Sequence, residues 1–149
     1  DGLLRLGALL GSRDQAVLIA SRWRLSNDDR DRLVSLCSGV PMLQQDMTDK
    51  DFNAVLYRVG KNAVTDQIRL AWANAGTTGD WLRLLATARE WIRPQFPISG
   101  ADIMAAGVAQ GPKVGLVMND VEQWWIDGAF AADRNAVLAK MRSVIAALN

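Results

Sequence analysis

Apolar residues recur every three or four positions from one end of this chain to the other, and nowhere do β-branched residues alternate over a strand's length. That periodicity restricts the chain to amphipathic helices, each of which must bury its apolar stripe against another. Leu3, Leu6, Leu9 and Leu10 form a first stripe, stopped near Gly11; Ala16, Val17, Ile19, Ala20 and Trp23 form a second. Ser26 with Asp29 opens a third helix. Its buried side is Leu33, Val34, Leu36 and Cys37, and Gly39 and Pro41 end it. Thr48 with Asp51 repeats the capping signature ahead of Phe52, Val55, Leu56 and Val59. Gly60 interrupts before Val64, Ile68, Leu70, Ala71 and Trp72. This reads as two helices meeting at a corner, with one kinked helix as the alternative. Gly76 to Gly79 reads as a loop, and Asp80 as the cap of a helix through Leu82, Leu84, Leu85, Ala88 and Trp91.

Arg93-Pro94-Gln95-Phe96-Pro97 then breaks the pattern, because two prolines so close together force extended backbone. The chain is expected to divide there into a helical region 1–92 and a second region 98–149, with 93–97 as linker. Ser99 and Asp102 form a third capping pair, opening a short helix to about Ala106. Gly107 to Gly111 is a turn, and Pro112 takes a first-helical position, where its missing N–H costs nothing. That helix carries Val114, Val117, Met118, Val121 and Trp125 to Gly128. Asp133 opens a last one with Val137, Leu138, Met141, Val144, Ile145 and Leu148. The expectation is an all-α fold of about seven to nine helices. It is an irregular multi-helix array with a C-terminal helix-hairpin-helix-like subregion.

Composition narrows the chemistry. The 149 residues contain no histidine, which removes His-based acid–base and nucleophile systems and most zinc sites. The single cysteine, Cys37, lies on an apolar stripe and reads as a packed core thiol in a reducing, cytoplasmic setting. No apolar run approaches the roughly 20 residues of a membrane span. Seventeen basic residues face sixteen acidic ones, so any polyanion surface has to come from segregation of charge. The chain begins at Asp1 in place of methionine and is expected to be a piece of something longer.

The most informative motif is the turn at 107–115. Gly107 suits a left-handed helix cap, Gly111 a tight re-entry, and Gly115 a close approach between the paired helices. Pro112 and Lys113 then open a helix whose free amides and ammonium point the same way, an arrangement that can grip a phosphate. The same residues also suit a plain αα-hairpin, and spacing does not choose between the two. Arg58 and Lys61 flank the Gly60 corner, and Arg22 and Arg24 end the second helix; gathered on one side, such groups would make a track for a polyanion. Asp29/Asp31 and Asp49/Asp51 have D-x-D spacing but fall in first helical turns, where acids complement the dipole. Neither pair suits two-metal chemistry, and no catalytic or metal-binding set is found. Trp72, Trp91 and Trp125 fall on apolar stripes, whereas Trp124 is placed to pack on the final helix or to stack on a base.

Pro97-x-x-Gly100-x-Asp102-Ile103, Gly107-x-x-x-Gly111-Pro112-x-Val114-Gly115, Trp124-Trp125-Ile126 and Phe130-x-x-Asp133-Arg134 resemble the tail signature of one family. It is the bacterial class II CCA-adding tRNA nucleotidyltransferase / poly(A) polymerase family. Leu25 through Leu33 and Leu56-Tyr57-Arg58-Val59-Gly60 are similar to its upstream helical region. The resemblance implies a parent enzyme with a magnesium-dependent catalytic head and a neck, both absent from this sequence, followed by body and tail. The parent would transfer nucleotides from CTP and ATP to RNA 3′ ends. This chain would be the non-catalytic part that holds tRNA or other structured RNA and docks against the parent's own head and neck. The residues to which that role transfers are Gly107, Gly111, Pro112 and Lys113, with Arg58 and Lys61 as body candidates. Two other readings stay open: a structural or dimerising helical domain, and a helix-hairpin-helix DNA-binding module.

Overall fold

The computed structural model describes residues 1–39, 43–75 and 80–148. The Pro41 helix stop and the Gly76–Gly79 loop lie outside the described residues. Among those described, the structure is all-helical, an irregular array of helices with no strand. The helices are α1 (Gly2–Leu9), α2 (Arg13–Arg22), α3 (Asn27–Ser38), α4 (Asp49–Val59), α5 (Lys61–Ala75), α6 (Trp81–Glu90), α7 (Gly100–Ala105), α8 (Pro112–Asp127) and α9 (Arg134–Ala147). Two compact units are present, Asp1–Ile92 and Arg93–Asn149.

In the first unit, local side chains start most helices. Asp1, Ser12, Ser26 and Thr48 each accept a backbone N–H from the first turn of the helix they precede. Asp80 stands in the cap position of α6 but makes no such bond. Its carboxylate lies instead 4.0 Å from Arg83 Nε. Gly60, at φ 94°, separates α4 from α5, so the corner is two helices and not one kinked helix. Phe52, Val55 and Leu56 of α4, Val64 and Ile68 of α5, and Trp81, Leu84 and Ala88 of α6 form the main core. Each of the larger side chains there contributes about 1.5–3 kcal/mol through burial.

A smaller cluster joins Ala16 and Ala20 of α2 to Leu33 of α3, flanked by Leu6, Leu10 and Cys37. Helix α1 approaches α3 so closely that a Cβ added at Gly7 would lie 2.9 Å from Leu36 Cβ. Cys37 is half-buried, and burial pushes its thiol pKa up.

The second unit packs α8 between α7 and α9. Val117, Val121, Trp125, Val137, Met141 and Ile145 are buried. The Trp125 ring has Phe96 at 5.2 Å and Phe130 at 5.0 Å, and its indole N–H donates to the Ala132 carbonyl at 3.0 Å. Phe96, in the proline-rich break, is thus part of this unit's packing. The close approach expected at Gly115 is not found: space beside it is open, and it is at Gly100 that a Cβ, if added, would lie 3.5 Å from Val114 Cγ1. Gly115 sits one position away from the inward-facing Val114 and turns to solvent.

Candidate nucleic-acid interface

The turn between α7 and α8 is built from backbone geometry. Gly107, at φ 94°, lets its N–H reach the Met104 carbonyl at 3.0 Å while Val108 N–H reaches Ile103 at 3.4 Å. These two bonds close α7 as a Schellman motif, with Val108 and Ile103 buried together beneath it. Gly111 follows at φ 154°, a region that side chains resist, and Pro112 starts α8. Val114 N–H already has a partner in the Gly111 carbonyl at 3.1 Å. Residues 109–112 are exposed, so the turn leading into α8 faces solvent. Lys113 is half-buried, and its ammonium lies 3.3 Å from the Leu148 carbonyl at the end of α9. Its charge therefore also serves the C-terminal carbonyls of α9, a partner that spacing could not reveal.

The Gly60 corner separates Arg58 from Lys61. Arg58 is exposed near the end of α4, whereas Lys61 reaches across to α6, donating to the carbonyls of Arg89 and Trp91. There it caps the negative end of α6. Lys61 lines a cleft of about 560 Å³ together with Arg32, Asn62, Thr65, Asp66, Arg69, Leu85 and Arg89. Arg58 does not line it.

Buried Asp66 organises the cleft. Its carboxylate accepts Arg32 Nε at 2.7 Å and Nη2 at 3.1 Å, and Arg69 Nη1 lies 3.5 Å away. Arg32 Nη2 also donates to Asp1 at 2.6 Å. The hydrogen bond to Asp66 raises the Arg32 pKa above its ordinary value. Sequence reasoning selected only Lys61 from this group. Arg32, Arg69 and Arg89 come from three helices and share no local spacing.

The D-x-D pairs stay at helix starts. Asp29 and Asp51 accept the hydroxyls of Ser26 and Thr48, and Asp31 and Asp49 pair with Arg30 and Arg83. Among the described residues, no three metal-ligating side chains converge, and no helix is long and apolar enough to cross a membrane. Trp124 is partly exposed, with Lys140 Nζ 6.0 Å from its ring on the side of α9.

No family model matches the chain. It is 38% identical over 65 residues to an uncharacterized 28 kDa protein in the petA 5′ region of Rhodospirillum rubrum, covering 38% of this chain and 25% of that protein. It is 25% identical over 59 residues to the mitochondrial CCA tRNA nucleotidyltransferase 1 of Mus musculus and of Homo sapiens, covering 40% of this chain and 14% of each relative. The chain thus spans a quarter or less of the curated relatives it matches. It is distantly similar, over part of its length, to members of the CCA-adding family.

Proposed function

We propose that this chain is the RNA-docking, non-catalytic region of a nucleotidyltransferase that extends RNA 3′ ends from CTP or ATP, with tRNA as the RNA held. The observation that carries this reading is the similarity to two CCA tRNA nucleotidyltransferases. The second unit has a feature suited to the task, an exposed and glycine-pinned helix start followed by a lysine. Gly107 and Gly111 shape it, Pro112 removes a backbone N–H that helix geometry would leave unused, and Lys113 supplies charge. Such a contact grips a backbone phosphate without reading bases, which suits an enzyme that must accept every tRNA. Arg58 and Lys61 are assigned supporting roles on the first unit. The catalytic head and neck of the parent are the remaining partners. Exposed Leu9, Leu18 and Trp23 in and just beyond α1 and α2 are the apolar surface such neighbours would cover.

The test is binding of a labelled tRNA transcript at low salt to the unaltered chain and to Lys113→Glu. The substitution should weaken binding by roughly 1 kcal/mol, about a five-fold rise in Kd. Circular dichroism melting accompanies it, because Lys113 also meets the end of α9. A folded variant that binds as tightly as the unaltered chain removes Lys113 from the interface. Equal affinity for tRNA and for duplex DNA of the same length would favour a general helix-hairpin-helix binder instead.

A further inference from the structure

The cleft in the first unit gathers cations from three helices. We propose that it is a docking groove for consecutive phosphodiester groups of an RNA strand, separate from the glycine turn. This rests on the RNA-docking reading. Among the described residues, four cations, Arg32, Lys61, Arg69 and Arg89, line it with one carboxylate, Asp66, while a second, Asp1, pairs with Arg32 from beside it. That is a marked excess in a chain whose overall charge is only +1. Asp66 is buried, and its two bonds to Arg32 consume one edge of the guanidinium and fix its plane. Nη1 of Arg32 makes no hydrogen bond among the described residues. A guanidinium held in this way loses little freedom when it meets an anion.

The length and chemistry of the groove favour a strand over a free nucleotide. Lys61 and Arg69 bracket two turns of α5, roughly 12 Å at about 1.5 Å per residue. That span exceeds what one phosphate group needs and suits successive backbone groups. Asn62 and Thr65, on the same helix, offer donors and acceptors for sugar hydroxyls. Among the described residues no aromatic side chain lines the groove, so none of them offers a stacking platform for a base. Recognition would then be electrostatic and indifferent to sequence, as the docking of many tRNAs requires.

Arg69 and Arg89 are exposed, but Arg69 also pairs with buried Asp66 at 3.5 Å, so circular dichroism melting accompanies every variant. The experiment measures anisotropy of labelled tRNA over a series of salt concentrations. It compares the unaltered chain with Arg69→Glu/Arg89→Glu and, should that variant fail to fold, Arg69→Gln/Arg89→Gln. The expected result is a Kd raised at least about ten-fold, with a salt slope smaller by about two phosphates. An unaltered slope in a folded variant overturns the groove while the docking reading stands. Failure of the unaltered chain to bind tRNA at low salt overturns the docking reading. A poly(A) strand and ATP then replace tRNA in the same comparison. A loss on poly(A) upholds the groove. No loss on either probe, or a loss on ATP alone, overturns it as a strand-docking site.

Discussion

Among the described residues, three that are not glycine hold positive φ: Arg24 at 51°, Ala129 at 53° and Phe130 at 62°. Arg24 and Ala129 stand where Gly107 stands, just past a helix end. Leu25 N–H reaches back to Ala20 and Phe130 N–H to Trp125, each at 3.0 Å, closing α2 and α8 by the same pair of bonds that closes α7. A side chain in this conformation crowds the following carbonyl, at a cost of about 1–2 kcal/mol. Ala129 is exposed, so its methyl gains nothing from burial. Ala129→Gly should therefore stabilise the second unit by about 0.5–1 kcal/mol, after allowing for the added freedom of the unfolded chain. A melting temperature a few degrees higher is the expected readout, and a fall would show that the methyl packs in a way its exposure does not reveal. Gly107 was legible from sequence because glycine is itself the signal for such a cap. Ala129 and Arg24 carry no such signal. There the neighbouring helices impose the conformation, and it emerges only when the helices are packed.

At the scale of elements, the legible features were those written within three or four residues. Ser26–Asp29, Thr48–Asp51 and Ser99–Asp102 all act at helix starts as their spacing predicts. What spacing concealed was the far partner. Lys61 ends on the carbonyls of α6, Lys113 on the end of α9, and Arg32 meets Asp66 from another helix. These contacts exist only once helices distant in sequence pack together, so the groove was largely illegible. Helix α7 combines both kinds of contact. Asp102 accepts the backbone N–H of Ser99 at 2.8 Å and its hydroxyl at 3.0 Å, and pairs with Arg134 of α9. The Ser99 amide first, then its hydroxyl and Arg134, hold the Asp102 pKa below the usual carboxylate value. A depressed folded-state pKa means stability that is present above the unfolded value and lost as pH falls through the folded one. Between about pH 6 and about pH 3, the melting temperature of the unaltered chain should fall further than that of Asp102→Asn. Parallel falls would show that this carboxylate does not couple α7 to protonation.

Taken whole, the molecule spreads nearly balanced charge over two units. Long-range attraction to a polyanion is therefore weak, and binding has to come from the places where cations gather or amides lie exposed. The two candidate places fall in different units, with the groove in Asp1–Ile92 and the glycine turn in Arg93–Asn149. That division permits a test that variants of single residues do not. The second unit has its own core of Ile103, Val117, Val121, Trp125, Val137 and Met141, tied by the Phe96–Trp125–Phe130 ring cluster. Its length is near that of the smallest domains that fold unaided, about 55–65 residues. A piece spanning 93–149 should therefore give a helical circular dichroism spectrum and a cooperative, if low, melting transition. It retains Lys113 and the turn but lacks the groove. It should bind tRNA more weakly than the full chain, with a salt slope smaller by at least about two. A helix-poor spectrum at low temperature would show that the second core depends on the first unit. A folded piece that matched the full chain in affinity and slope would place all of the binding in the turn and leave the basic groove without a part in it.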